Sequence, residues 1–230
     1  RTADHNINYS RGLQYHYLQP VFGTGARAWF DFGSNMQLGV AGVLGWNESE
    51  DSNDEMSFGG WLRYKGEKFN AKATMYSGSE GSNDGGFGGF NGFSSPVDVN
   101  VFAFNIDFDL GEKANLGFEG TMMKLDNFTT DGTGGEANFN GYAGYLTYKW
   151  SDRTTLGARF EQFEDEDGFW FNSGEKITSY TINVDCRTGD NGKVRFEYRS
   201  DSADSALFNS DSSNEDSRQT WSVSYQVRVK

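Results

Sequence analysis

Cysteine, proline, histidine and long apolar runs are what this 230-residue chain has least of. The single Cys186 permits no internal disulfide and leaves the redox compartment open. Two prolines beside 30 glycines, with aromatics at 16%, suit many glycine-relieved strands better than helices. No window approaches ~18 consecutive apolar residues, which excludes a transmembrane helix. It does not exclude a membrane, because a barrel strand shows lipid only every second residue. Basic residues are also short, 20 against 33 acidic. The resulting net charge of −13 argues against nucleic acid, whose phosphates need Lys and Arg. His5 and His16 both lie near the start, and no nucleophile-elbow motif occurs. No catalytic constellation forms, and the chain does not read as an enzyme. Neither an initiator Met nor a signal peptide precedes Arg1, so the sequence reads as a processed or truncated product.

What is abundant is alternation. Asp98 to Lys124 is two alternating runs joined by Gly111-Glu112-Lys113. Phe102, Phe104, Ile106, Phe108 and Leu110 share one face, against Ala103, Asn105, Asp107 and Asp109. After the turn, Leu116, Phe118, Gly120 and Met122 continue the apolar face. A period of two is that of a β-strand, and a tight polar turn between two such runs makes a hairpin. Each run is close to the ~9–11 residues a tilted strand needs to cross a bilayer. The unit recurs and predicts about twelve strands within a single domain, 1–230. Leu13 to Gln19 is the first, followed by Gly25 to Phe32 and by Met36 to Trp46. From Gly33 onward, turns of three or four residues alternate with loops of about ten or more. Transmembrane barrels have this asymmetry, with short periplasmic turns and long extracellular loops. It predicts Gly33, Gly66, Gly111, Ser151 and Gly189 at the periplasmic rim, with both termini on that side.

Alternation alone leaves open which face is inside. A soluble barrel or sandwich would bury the apolar face. Three features favour lipid instead. The polar face is rich in Gly, Ala, Ser, Thr and paired charges, as expected of a wet lumen. Twelve strands around an apolar core would enclose more volume than side chains fill, since ~8 strands already give a filled interior. Aromatics also collect at strand ends: Phe32, Tyr64, Phe69, Phe108, Tyr148 and Trp150 near the short turns, and Trp46, Phe58, Tyr142 and Trp221 near the long loops. Two aromatic belts around an aliphatic band match the interfaces of a bilayer. The predicted fold is an all-β, closed, antiparallel, up-and-down transmembrane β-barrel.

Several segments are similar to a known family. They are Asn8 to Pro20 with Gly25, Gly45-Trp46-Asn47 followed by Asp51 and Asn53, Ser57-Phe58-Gly59, Tyr76 to Gly81, and Arg195 to Asp201. Together they resemble the bacterial outer-membrane putative β-barrel porin-2, or OmpL-like, family. The resemblance implies a Gram-negative outer-membrane barrel acting as a porin. Members usually carry further sequence before this region, and outer-membrane barrels typically end on an aromatic where this chain has Lys230.

Strand parity then nominates a lumen. Arg63, Lys65, Lys72, Arg159, Arg187, Arg195 and Arg199 point inward with Asp107, Glu119, Glu161, Asp185 and Glu197. Either these charges pair across strands and hold the barrel shut, or unpaired members create a transverse field that selects solutes. The ladder Arg195, Glu197, Arg199 is the candidate cationic strip. Loop Ser77 to Val97 carries Phe87, Phe90 and Phe93 among glycines and is either a constriction folded into the mouth or a surface loop. Acidic loops around Glu48, Asp165 and Asp211 are either solvated or bridge through Ca²⁺ to lipopolysaccharide. No cofactor or metal is predicted. The expected partners are outer-membrane lipids, lipopolysaccharide and small hydrophilic solutes, with a homo-oligomer or envelope partner left open. The expected function is passive diffusion through a charged lumen; the alternative is a scaffold barrel binding an envelope complex through its loops.

Overall fold

A computed structural model describes residues 8–20, 22–50, 53–80, 97–127, 135–171, 173–209 and 213–227. The alternating runs after Gly25 become β1 (Gly25–Phe32), β2 (Met36–Val43), β3 (Ser57–Lys65), β4 (Phe69–Glu80), β5 (Val97–Asp109), β6 (Ala114–Asp126) and β7 (Glu136–Lys149). They continue as β8 (Thr154–Asp165), β9 (Glu175–Arg187), β10 (Gly192–Ala203), β11 (Phe208–Asn209), β12 (Asn214–Glu215) and β13 (Ser217–Val227). Eleven of them form one antiparallel sheet in chain order, β1 to β10 and then β13, while β11 and β12 are a small hairpin inside the last long connection. Where glycine faces an aromatic across a strand pair, the ring occupies the vacated space. Phe104 lies over its partner Gly120, and Trp61 over its partner Gly39. A Cβ at either glycine would collide with the ring, which is why the strands tolerate so much glycine.

The two faces separate as alternation predicts. Phe30, Val40, Leu62, Met75, Ile182 and Val223 are exposed on one face, with Trp150 and Trp221 at its two ends. Arg195 and Glu197 are 1% and 3% exposed on the other, so on β10 the charged side is the enclosed one. The sheet must also curve. Arg63 on β3 and Arg159 on β8 line one cavity, although five strand spacings of ~4.8 Å would hold them roughly 24 Å apart in a flat sheet.

Four expectations change. Leu13 to Gln19 is not a strand but contains a helix, α1 (Leu13–Tyr17). Tyr15 and Tyr17 alternate like a strand, yet Leu13, Gln14 and Leu18 are the buried positions and His16 is exposed, which is a helical stripe. Second, β2 ends at Val43 rather than Trp46. The chain turns at Gly45 (φ 153°) and Asn47 (φ 61°), so Trp46 leaves the lipid-side belt. It is buried edge-on against Tyr76, with its backbone N–H 2.7 Å from Glu80.

Third, with α1 in place of a strand, the chain enters β1 from the long-loop end, where Gly25 faces Val43. Val227 lies at the short-turn end beside Gly192, so the two ends of the sheet's path are not on one rim. Fourth, the predicted closure is not seen. Among the described residues β1 pairs only with β2, and β13 only with β10.

Candidate functional site

Register lines up the enclosed face in rows. Arg63, Lys72, Asn105, Glu119, Ala143, Glu161, Ser179 and Asp201 are successive cross-strand partners from β3 to β10. The adjacent row runs Lys65, Asn70, Asp107, Gly117, Tyr145, Arg159, Thr181 and Arg199. These two rows bring together most of the charged residues nominated from sequence. Glu197, Asp185 and Arg195 follow on β9 and β10. Arg187 stands apart, near Lys149 and Asp152 at the short-turn end.

The acidic and basic groups on β6 to β10 hold the N-terminal segment. Glu197 accepts the backbone N–H of Tyr9 at 2.6 Å and of Ser10 at 2.9 Å. Glu161 accepts that of Leu13 at 2.9 Å and pairs with Arg159 at 2.7 Å, both side chains being buried. Arg159 donates to the Ser10 carbonyl at 2.9 Å, and Arg199 to the Arg11 carbonyl at 2.8 Å. Gln14 reaches Glu119 at 3.3 Å, and Asn8 reaches Asn183 at 3.1 Å. Shape adds to charge. A Cβ on Gly12 would collide with Glu161, and one on Gly141 would stand 2.6 Å from Gln14 Cγ and 2.8 Å from Leu18 Cδ1. Isolated helices of this length are unstable in water, so α1 owes its form to the seat. Sequence reasoning missed this docked segment; the available signal was Leu13, Tyr17 and Leu18 at i, i+4 and i+5.

Toward the long loops the enclosed face turns apolar. Val97, Val99, Met123, Leu125, Phe139 and Phe163 form a buried cluster with Leu13 and Leu18. The connection after β8 folds onto it. Asp165 accepts the backbone N–H groups of Phe169 (2.9 Å), Trp170 (2.8 Å) and Phe171 (3.2 Å). Their rings pack on Tyr17, Phe139 and Phe163. Phe87, Phe90 and Phe93, the candidate constriction, lie outside the described residues.

On the other side an open cavity of about 630 Å³ remains. Arg63, Lys65, Lys72, Asp107 and Glu119 line it from the sheet, and Arg11 and Tyr15 line it from the docked segment. The ladder nominated as a cationic strip lies elsewhere and is internally neutralised. Arg195 makes a bidentate pair with Asp185, both contacts 2.6 Å, which Lys193 joins at 3.0 Å. Arg199 pairs with Asp201 at 2.6 Å, shared with Arg218 at 2.8 Å. Arg63, Lys65 and Lys72, by contrast, have no ion pair among the described residues. Several loop acids serve internal contacts, such as Glu175 with Ser205 at 2.6 Å. Among the described residues no group of three His, Cys, Asp or Glu side chains is placed to hold a metal.

The fold has solved counterparts. An anion-selective porin from Comamonas acidovorans superposes with a TM-score of 0.68 at 9% identity, over 87% of this chain and 58% of that one. The outer membrane channel DcaP of Acinetobacter baumannii gives 0.66 at 13% identity, over 89% and 62%. OmpT of Vibrio cholerae gives 0.62 at 12% identity, over 87% and 62%. At these identities the likeness is one of fold, and the chain spans 58 to 62% of the length of these porins. No curated protein matches the chain. The model of one family covers residues 2–228. The chain belongs to that family, putative beta-barrel porin-2, OmpL-like, and is a β-barrel porin-family protein of the bacterial outer membrane.

Proposed function

We propose that this chain, as one domain, builds the wall of a closed transmembrane barrel that passes small hydrophilic solutes by passive diffusion. The observation carrying the reading is the division of faces: apolar side chains with aromatic ends outward, charges enclosed. In hydrocarbon every backbone polar group needs an internal partner, so an open edge cannot persist and the sheet must close. Geometry constrains how. With eleven strands, β1 and β13 run in the same direction, so pairing them directly would be parallel. Antiparallel closure needs an odd number of further strands, giving the even count usual in bacterial barrels.

The pore-lining set in this reading is Arg63, Lys65, Lys72, Asp107, Glu119 and Arg159 around the open cavity, with α1 narrowing the opposite side. Glu161, Asp185, Arg195, Glu197 and Arg199 act through the docked segment rather than as bare walls. Along the cavity wall the row of cross-strand partners runs from cationic Arg63 and Lys72 on β3 and β4 to the acid Glu119 on β6, so a solute in the cavity crosses a transverse field. Outer-membrane lipids surround the apolar face. Planar-bilayer recording tests the function: discrete conductance steps are expected, and deleting residues 8–20 enlarges them. An ion-tight barrel overturns the porin reading.

A second reading has its own support. The buried cluster around Phe139 and Phe163, closed from above by Phe169 to Phe171, blocks part of the bore. A barrel sealed there would serve as an anchor for an envelope partner. It predicts no current in either the intact chain or the deletion.

A further inference from the structure

The cationic side of the open cavity has a feature that barrel closure does not explain. Arg63 and Lys72 are direct cross-strand partners, and like charges directly opposite destabilise a sheet. Neither, nor Lys65 in the next row, has an ion pair among the described residues, whereas Arg159, Arg195 and Arg199 across the lumen all do. The nearby Glu119 is occupied: it accepts from Gln14 at 3.3 Å, Asn105 at 3.2 Å and the Tyr145 hydroxyl. Lys72 is also oriented. Its ammonium lies 6.0 Å from the centre of the Trp61 ring, which packs on Gly39 and is tied to Gln37 at 3.2 Å.

We propose that Arg63, Lys72 and Lys65 form a binding site for small oxyanions of charge two or more, such as phosphate or a di- or tricarboxylate. Three positive groups on two neighbouring strands, facing an open cavity of about 630 Å³, match one multivalent anion better than a chloride. The guanidinium supplies a bidentate fork and the ammonium groups supply point charges. Asn70 and Asn105 border the same cavity and offer hydrogen bonds to hydroxyl or carboxyl oxygens of the solute. A bound anion removes the cost of the Arg63–Lys72 juxtaposition, so site and solute stabilise each other. This rests on the porin reading for its role, since the site selects what traverses the lumen.

The test uses phosphate and citrate as probes, with acetate as the monovalent control. In bilayer recordings of the intact protein in KCl, phosphate and citrate reduce the current with saturation, while acetate at equal concentration does not. The double variant Arg63→Gln, Lys72→Gln needs at least tenfold more probe for half-block. Its melting temperature is expected to be no lower than that of the parent, because the substitution removes a like-charge contact. Block that is equal in parent and variant, or no block in a conducting parent, overturns the site. If the parent carries no current the porin reading fails, and calorimetric titration of phosphate into detergent-solubilised protein decides the site alone. Binding lost in the double variant supports it, and no binding by the parent overturns it.

Discussion

Glu197 and Gly141 show how single positions decide what occupies the interior. Both carboxylate oxygens of Glu197 receive backbone N–H groups from the docked segment. Hydrogen bonds to a charged acceptor contribute about 1.5–3 kcal/mol each. Glu197→Ala is therefore expected to release residues 8–12 while the sheet stays intact, read as trypsin cleavage after Arg11 that is at least tenfold faster. Unchanged cleavage would mean the contact contributes nothing. Gly141 tests packing rather than charge. A methyl there meets Gln14 Cγ and Leu18 Cδ1 at 2.6 and 2.8 Å, and overpacking of this kind costs about 1–3 kcal/mol. Gly141→Ala should accelerate the same cleavage without altering the thermal transition of the barrel. Parity marked Glu197 as inward, but nothing in the alternating pattern could tell that it faces a peptide segment rather than water. That depends on which distant residues the curved sheet brings together.

As an element, α1 is the least autonomous piece of the fold and the one most exposed to its surroundings. Burial, followed by Arg199, Arg159 and Arg11, holds His16 below its ordinary value of 6.5. An undocked segment recovers that ordinary value and takes up a proton that the docked one resists. Docking is therefore at full strength above pH 6.5 and weakens as pH falls from there through the lowered value. His16 is only partly shielded from solvent, so the effect is modest. Cleavage after Arg11, corrected for protease activity, should be faster at pH ~5 than at pH ~8, and His16→Gln should flatten the dependence. A flat profile in the parent rejects the coupling. The strands β1 to β10 and β13 were legible because amphipathic alternation is a local property, whereas a short helix carries too few repeats to outweigh Tyr15 and Tyr17 posing as strand.

For the whole molecule the decisive quantity is strand parity. Since β1 and β13 point the same way, antiparallel closure keeps them apart by at least one strand, beyond the ~7 Å Cα separation a disulfide tolerates. Cysteine pairs scanned along Gly25–Phe32 and Ser217–Val227, in a Cys186→Ser background, should not crosslink within one chain in membranes. An efficient intrachain disulfide would instead establish parallel closure. The aromatic ends of the outer face, Trp150 at the short-turn side and Trp221 at the long-loop side, bound the depth at which such pairs are screened.

The amino-acid order determined the strand periods, the alternation of short turns with long loops, and which side of each ribbon is apolar. Those follow from contacts between near neighbours and from the two-residue repeat of an extended backbone. The tertiary structure alone decided that Trp46 turns inward at Gly45, that residues 8–20 fill one side of the interior, and that, among the described residues, Arg195 and Arg199 are matched by acids while Arg63, Lys65 and Lys72 are not. The seat of residues 8–20 depends on curvature and register summed over many strands. Arg199 and Arg195 find acids on their own or the neighbouring strand, Asp201 and Asp185, whereas the register positions beside Arg63, Lys65 and Lys72 hold Gln37, Asn70 and Asn105.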